Sequence, residues 1–158
     1  LGIDKQTILV SIGGTDAGRY LIEMAISAYQ KLKIKMDIDL VVAAGPSLSK
    51  IGNGYTNCRN IGFVDNLHEY VYASDLVISL AGRSTIDESL IYGTPGIFIP
   101  IKDHFEQEQN AKKLGYTYND ILRLEPLIEE KLGVSRNNIA NVNSGAKKAA
   151  KIIMETLH

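Results

Sequence analysis

The chain has no tryptophan, three phenylalanines, four prolines and one cysteine, Cys58, among 158 residues. A lone cysteine cannot close an internal disulfide, and no Cys/His spacing suits a structural metal, so a reducing, cytosolic setting is expected. Charge of neither sign is in excess: 17 Lys and Arg stand against 18 Asp and Glu, a net charge of -1. Nonspecific binding to nucleic acid calls for clustered cations and is excluded as the main task. No apolar run approaches the ~20 residues of a membrane span, and no signal-peptide pattern opens the chain. Peripheral contact with the cytoplasmic face of a membrane stays open. The G-x-G-x-x-G fingerprint is missing, because Gly13, Gly14 and Gly18 form G-G-x-x-x-G. Ala43-Ala44-Gly45 stands where an acidic residue would hold an adenosine ribose. A nicotinamide cofactor is therefore disfavoured. The P-loop pattern is also absent, which disfavours ATP hydrolysis. Neither cofactor nor metal is expected.

What remains is a composition of 45% hydrophobic and 22% charged residues, ordinary for one soluble domain spanning 1–158. Apolar runs at 7–12 (TILVSI), 39–44 (DLVVAA), 75–80 and 96–100 read as strands, with a shorter one at 59–64. Helical spacing covers 19–33, 67–73, 84–92, 107–114, 127–132 and 144–156, with Asp16 as the N-cap of the first helix and 47–56 as a loop. The strands are apolar throughout rather than alternating, so both sheet faces must be covered. That predicts an α/β fold: a Rossmann-like parallel sheet with helices on both faces.

In such a sheet, ligands bind beyond the carboxyl ends of the strands. Gly13-Gly14-Thr15 follows the first strand. It suits a phosphate at a helix N-terminus, or simply a tight turn that needs glycine. Gly82-Arg83-Ser84-Thr85 opens the helix after the fourth strand and suits a diphosphate. Glu88 lies three residues past Thr85, about 4.5 Å along the axis, where a carboxylate can accept both hydroxyls of a ribose. The same four residues, Thr85 to Glu88, also read as a capping box, with Thr85 as N-cap and Glu88 at N3. After the fifth strand come His104, Glu106 and Gln107. A carboxylate beside an amide suits sugar hydroxyls, while His104 reads more readily as a surface or capping residue than as a catalytic base. Phe63 and Val64 end the third strand, where backbone groups can meet a base edge, or where Phe63 is simply core.

Taken together, SDLVISLAGRSTIDESLIYGTPGIFIP followed by HFEQEQNA resembles the C-terminal, donor-binding half of a GT-B glycosyltransferase. The resemblance is to family 28, known for the lipid II-forming N-acetylglucosaminyltransferase of peptidoglycan synthesis. It implies a UDP-sugar donor, with Gly13, Gly14 and Thr15 near the phosphates and Phe63 and Val64 at the uracil. It places Gly82, Ser84 and Thr85 at the diphosphate, Glu88 on the ribose, and Glu106 and Gln107 on the sugar, with Asn110 closing that motif. Two departures stand out. Arg83 replaces a small residue, to contact phosphate or face solvent, and the loop before Gln107 is longer than usual. The resemblance also implies that the acceptor site and catalytic base belong to another domain or to a membrane-associated partner chain. The chain begins at Leu1 rather than Met and is expected to be one half of such an enzyme. Two other readings are a non-catalytic nucleotide-sugar-binding subunit and a nucleotide-sugar hydrolase or epimerase.

Overall fold

The computed structural model describes residues 1–14, 16–45, 58–136 and 145–156. Thr15 and the expected loop at 47–56 lie outside the described residues. Five strands form one parallel sheet: β1 (Gln6–Ser11), β2 (Ile38–Ala43), β3 (Arg59–Asn60), β4 (Leu76–Leu80) and β5 (Gly96–Ile99). Their order is β3-β2-β1-β4-β5, with every neighbouring pair parallel. The helices are α1 (Arg19–Leu32), α2 (Leu67–Ala73), α3 (Arg83–Tyr92), α4 (Phe105–Lys113), α5 (Leu124–Leu132) and α6 (Gly145–Thr156).

The unbroken apolar strands follow from burial on both sides. Ile8 and Val10 of β1 join a core cluster that includes residues of α1 and α5. Leu9, one residue out of phase, joins a second cluster with Val77 of β4 and Tyr70 and Val71 of α2. Successive strand side chains point to opposite faces, so both classes must be apolar. Each Val, Leu or Ile so buried stabilises the fold by roughly 1.5–3 kcal/mol.

Several boundaries differ from expectation for local reasons. β3 stops at Asn60, short of Val64. The Asn60 side chain accepts the Gly62 N–H at 2.9 Å and Gly62 turns the chain at φ +62. The N-cap of α1 is Gly18, not Asp16, which opens a 3-10 turn over Asp16–Gly18. α5 begins ahead of Pro126, at Leu124. A proline is tolerated in the first turn because its missing N–H would have no helical partner there. A second 3-10 segment, Tyr118–Arg123, precedes α5 and is fixed by a reciprocal cap between Thr117 and Asp120.

Candidate functional site at the carboxyl ends of the strands

The register sets the strand ends level. Ser11 of β1 lies beside Ala43 of β2 and Ser79 of β4, and Ser79 lies beside Phe98 of β5. The segments that follow therefore stand in one row. Strand order reverses between β1 and β4, and the crevice outside that switch point is where open α/β sheets bind ligands. Gly13-Gly14 stands on one side of it and Ala81-Gly82 on the other.

On the β1 side a cavity of about 160 Å³ is walled by Gly13, Gly14, Gly45, Phe63, Val64 and Leu67, among others. Complete ligand pockets run to about 300–1,000 Å³, so this one has the size of a site for one end of a ligand, such as a planar ring. Phe63 is 65% exposed, which overturns its reading as a core residue. Gly62 O accepts the Gly45 N–H at 3.3 Å, tying the β2 and β3 ends together. Gly45 has φ +70, and a Cβ there would fall 2.3 Å from the Gly13 carbonyl oxygen. Only glycine permits that approach. Ser11, Ala43, Gly45 and Leu67 are wall residues that sequence reasoning missed; for Gly45, the Gly45-Pro46 pair closing a buried strand was the available signal.

On the β4 side, the capping-box reading is corrected. The N-cap of α3 is Gly82, so Thr85 and Glu88 lie inside the helix and Glu88 is free of capping duty. The first helical bond runs from Ile86 N–H to Gly82 O at 3.4 Å. The N–H groups of Arg83, Ser84 and Thr85 take no partner among the described residues, as expected of a first turn. No side chain caps this end and no acidic residue lies in its first turn. The positive end of the helix dipole is left open to an anion. α4 is the opposite case. His104 Nδ1 accepts the Gln107 N–H at 3.4 Å, Glu108 accepts the Asp103 N–H at 3.0 Å, and Glu106 and Glu108 occupy the first turn. His104 is thus a capping residue.

Glu88 shares a helical face with Thr85, three residues before it. It is half-buried, and its carboxylate makes no hydrogen bond among the described residues. Burial pushes its carboxyl above the ordinary carboxylate range, and His68 on the neighbouring α2 offsets part of that shift. Arg83 does not reach into the crevice unpaired: its Nε donates to Asp87 at 2.8 Å along the helix. Glu106 is exposed and its side chain makes no hydrogen bond among the described residues. Gln107 Oε1 accepts the Ile101 N–H at 3.1 Å, and Asn110 Nδ2 donates to Ala81 O at 3.2 Å. Among the described residues no group of three or more His, Cys, Asp or Glu side chains could hold a metal. Asp37 and Asp39 are spaced like a metal pair, but they lie at the opposite end of β2, and Asp37 binds Lys5 at 2.6 Å.

Residues 7–152 match the glycosyltransferase family 28 C-terminal domain. The chain belongs to that family. An uncharacterized glycosyltransferase of Methanopyrus kandleri is 27% identical over 98% of this chain and 46% of its own length. A UDP-N-acetylglucosamine--N-acetylmuramyl-(pentapeptide) pyrophosphoryl-undecaprenol N-acetylglucosamine transferase of Thermosipho melanesiensis is 30% identical over 72% of this chain and 33% of its own length. This family 28 domain thus spans less than half of either relative. Its fold matches that of a spinosyn rhamnosyltransferase complexed with thymidine diphosphate. The TM-score is 0.62 at 20% identity, covering 84% of this chain and 39% of that one. The architecture is the Rossmann-like half of a GT-B fold: the strand pattern predicted the parallel sheet covered on both faces, and the resemblance implied the GT-B half. No helix among the described residues is long and apolar enough to cross a membrane.

Proposed function

We propose that this domain holds the UDP-sugar donor of a glycosyltransferase that transfers a hexosyl or N-acetylhexosaminyl group. The observation that carries this reading is the uncapped start of α3 at the switch point, one strand away from a ring-sized cavity. The base enters the cavity beside Phe63 and Val64. The ribose diol meets Glu88, whose carboxylate has no competing partner. The diphosphate lies on the N–H groups of Arg83, Ser84 and Thr85, with Gly13 and Gly14 opposite. The sugar extends toward Glu106 and Gln107. As the glycosidic bond to the diphosphate breaks, negative charge grows on the leaving oxygens. Donors already aimed at that position stabilise it without reorganising. The acceptor and the base that deprotonates it belong to a further domain or subunit. Uracil is favoured by the donor named for the Thermosipho relative. The test is a thermal-shift and calorimetric panel of UDP, dTDP, GDP and their sugars. UDP ligands are expected to raise the midpoint most, by mass action. A panel in which no nucleoside diphosphate binds would refute the reading.

A further inference from the structure

Asn110 sits one helical turn beyond Glu106 and Gln107, yet its side chain is committed away from the sugar position. Its Nδ2 donates to the carbonyl of Ala81, 29 residues earlier, at 3.2 Å. The other end of that same peptide unit is also held, because the Gly82 N–H donates to Leu80 O at 2.8 Å. A peptide plane pinned at both its oxygen and its nitrogen cannot swing about the line joining its two Cα atoms. This plane leads directly into Gly82, the N-cap of α3 at φ -73 and ψ 143. Glycine imposes little conformation of its own, so the direction in which α3 launches must be set from outside. Among the described residues Asn110 supplies the one side-chain hydrogen bond to this turn.

We propose that Asn110 is a positioning residue for the diphosphate site. It locks the Ala81–Gly82 peptide, and through it the aim of the three free N–H groups of α3, without touching the ligand. This rests on the nucleoside-diphosphate reading above. It reassigns Asn110 from sugar contact to preorganisation, in which ordering is complete before the ligand arrives. It also links the sugar-side helix α4 to the phosphate-side turn.

The test uses the 158-residue chain and a ladder of ligands: uridine, UMP and UDP, titrated by NMR and calorimetry against wild type, N110A and N110D. N110D keeps the shape of the side chain, but its carboxylate cannot donate. Loss of one hydrogen bond's worth of positioning should weaken UDP about tenfold in both variants. UMP should weaken less, and uridine, held in the cavity on the β1 side, should bind as before. General damage to the fold would lower uridine and UDP affinity by the same factor, and that result would overturn the proposal. So would wild-type affinity for UDP in either variant. A wild-type chain that binds UDP no better than uridine would remove the diphosphate reading itself, and with it this role for Asn110.

Discussion

Replacing Gly82 with alanine separates what the fold needs from what the ligand needs. Gly82 has φ -73 and ψ 143, a conformation open to any residue, and a Cβ built there meets nothing within 4 Å. Nothing in the protein therefore requires glycine at this position. Two small effects on stability oppose each other. Alanine restricts the unfolded chain, worth about 0.4–1 kcal/mol in favour of folding. Alanine is also a poorer N-cap than glycine, at a cost of about 0.5–1 kcal/mol. The sum lies within about 0.5 kcal/mol of zero, so Tm should move by no more than ~2 °C in a domain of this size. Binding should respond differently. The added methyl occupies space that a phosphate needs to reach the N–H groups of α3. Loss of one charge-assisted hydrogen bond, about 2 kcal/mol, corresponds to roughly 30-fold in Kd. Calorimetric titration of UDP, paired with a melting curve of the same sample, reads both quantities. Wild-type UDP affinity in G82A would refute the placement of the diphosphate. A Tm lowered by more than about 5 °C would refute the claim that the methyl finds open space.

Three further outcomes are expected. G18A should destabilise by about 1–3 kcal/mol in a denaturant melt, because its Cβ would lie 2.6 Å from Ile12 Cβ and 2.9 Å from Leu80 Cδ1, an overpacked helix–strand contact. E88Q should weaken UDP while raising Tm at neutral pH. The folded-state pKa of Glu88 is raised above its ordinary 4.5 by burial, so the stability contributed by its protonated form is full below that value and is lost as pH rises through the raised pKa. Glutamine stays neutral and does not lose it, so the Tm gap over wild type should widen from pH 4 to 8. Wild-type UDP affinity should fall as pH drops through the same raised pKa.

The fold was legible because its signals were redundant. Ile8, Leu9 and Val10 are all apolar, which in a short β-branched run closed by Gly13-Gly14 reads as a strand buried on both faces, and the glycines after β1 and β4 punctuate it. The row of polar groups beyond the strands was legible for the same reason. What the sequence left ambiguous were choices between nearby hydrogen bonds of similar strength. Thr85 and Glu88 satisfy the spacing of a capping box, but the N-cap is Gly82, three residues before Thr85, and that difference releases Glu88. Asn60 and Gly62 divert a chain whose apolar residues would otherwise extend β3. Asn110 reads as a sugar ligand from its neighbours Glu106 and Gln107, while its actual partner, the Ala81 carbonyl, is a backbone atom that no side-chain pattern reports.

β1 lies at the centre of the sheet, between β2 and β4, so its two edges meet their partners at different times during synthesis. During synthesis β1 and β2 can pair early, but the other edge of β1 waits for β4, about 65 residues after Ser11. At about 5–20 residues per second that interval is roughly 3–13 s. Throughout it, the unpaired backbone N–H and C=O groups along that edge of β1 are open to pairing with another chain. A ligand that touches both Gly13-Gly14 and the start of α3 bridges the early and late halves of the sheet. It would act as a clasp on the seam between them, slowing the parting of β1 from β4 as well as shifting the equilibrium.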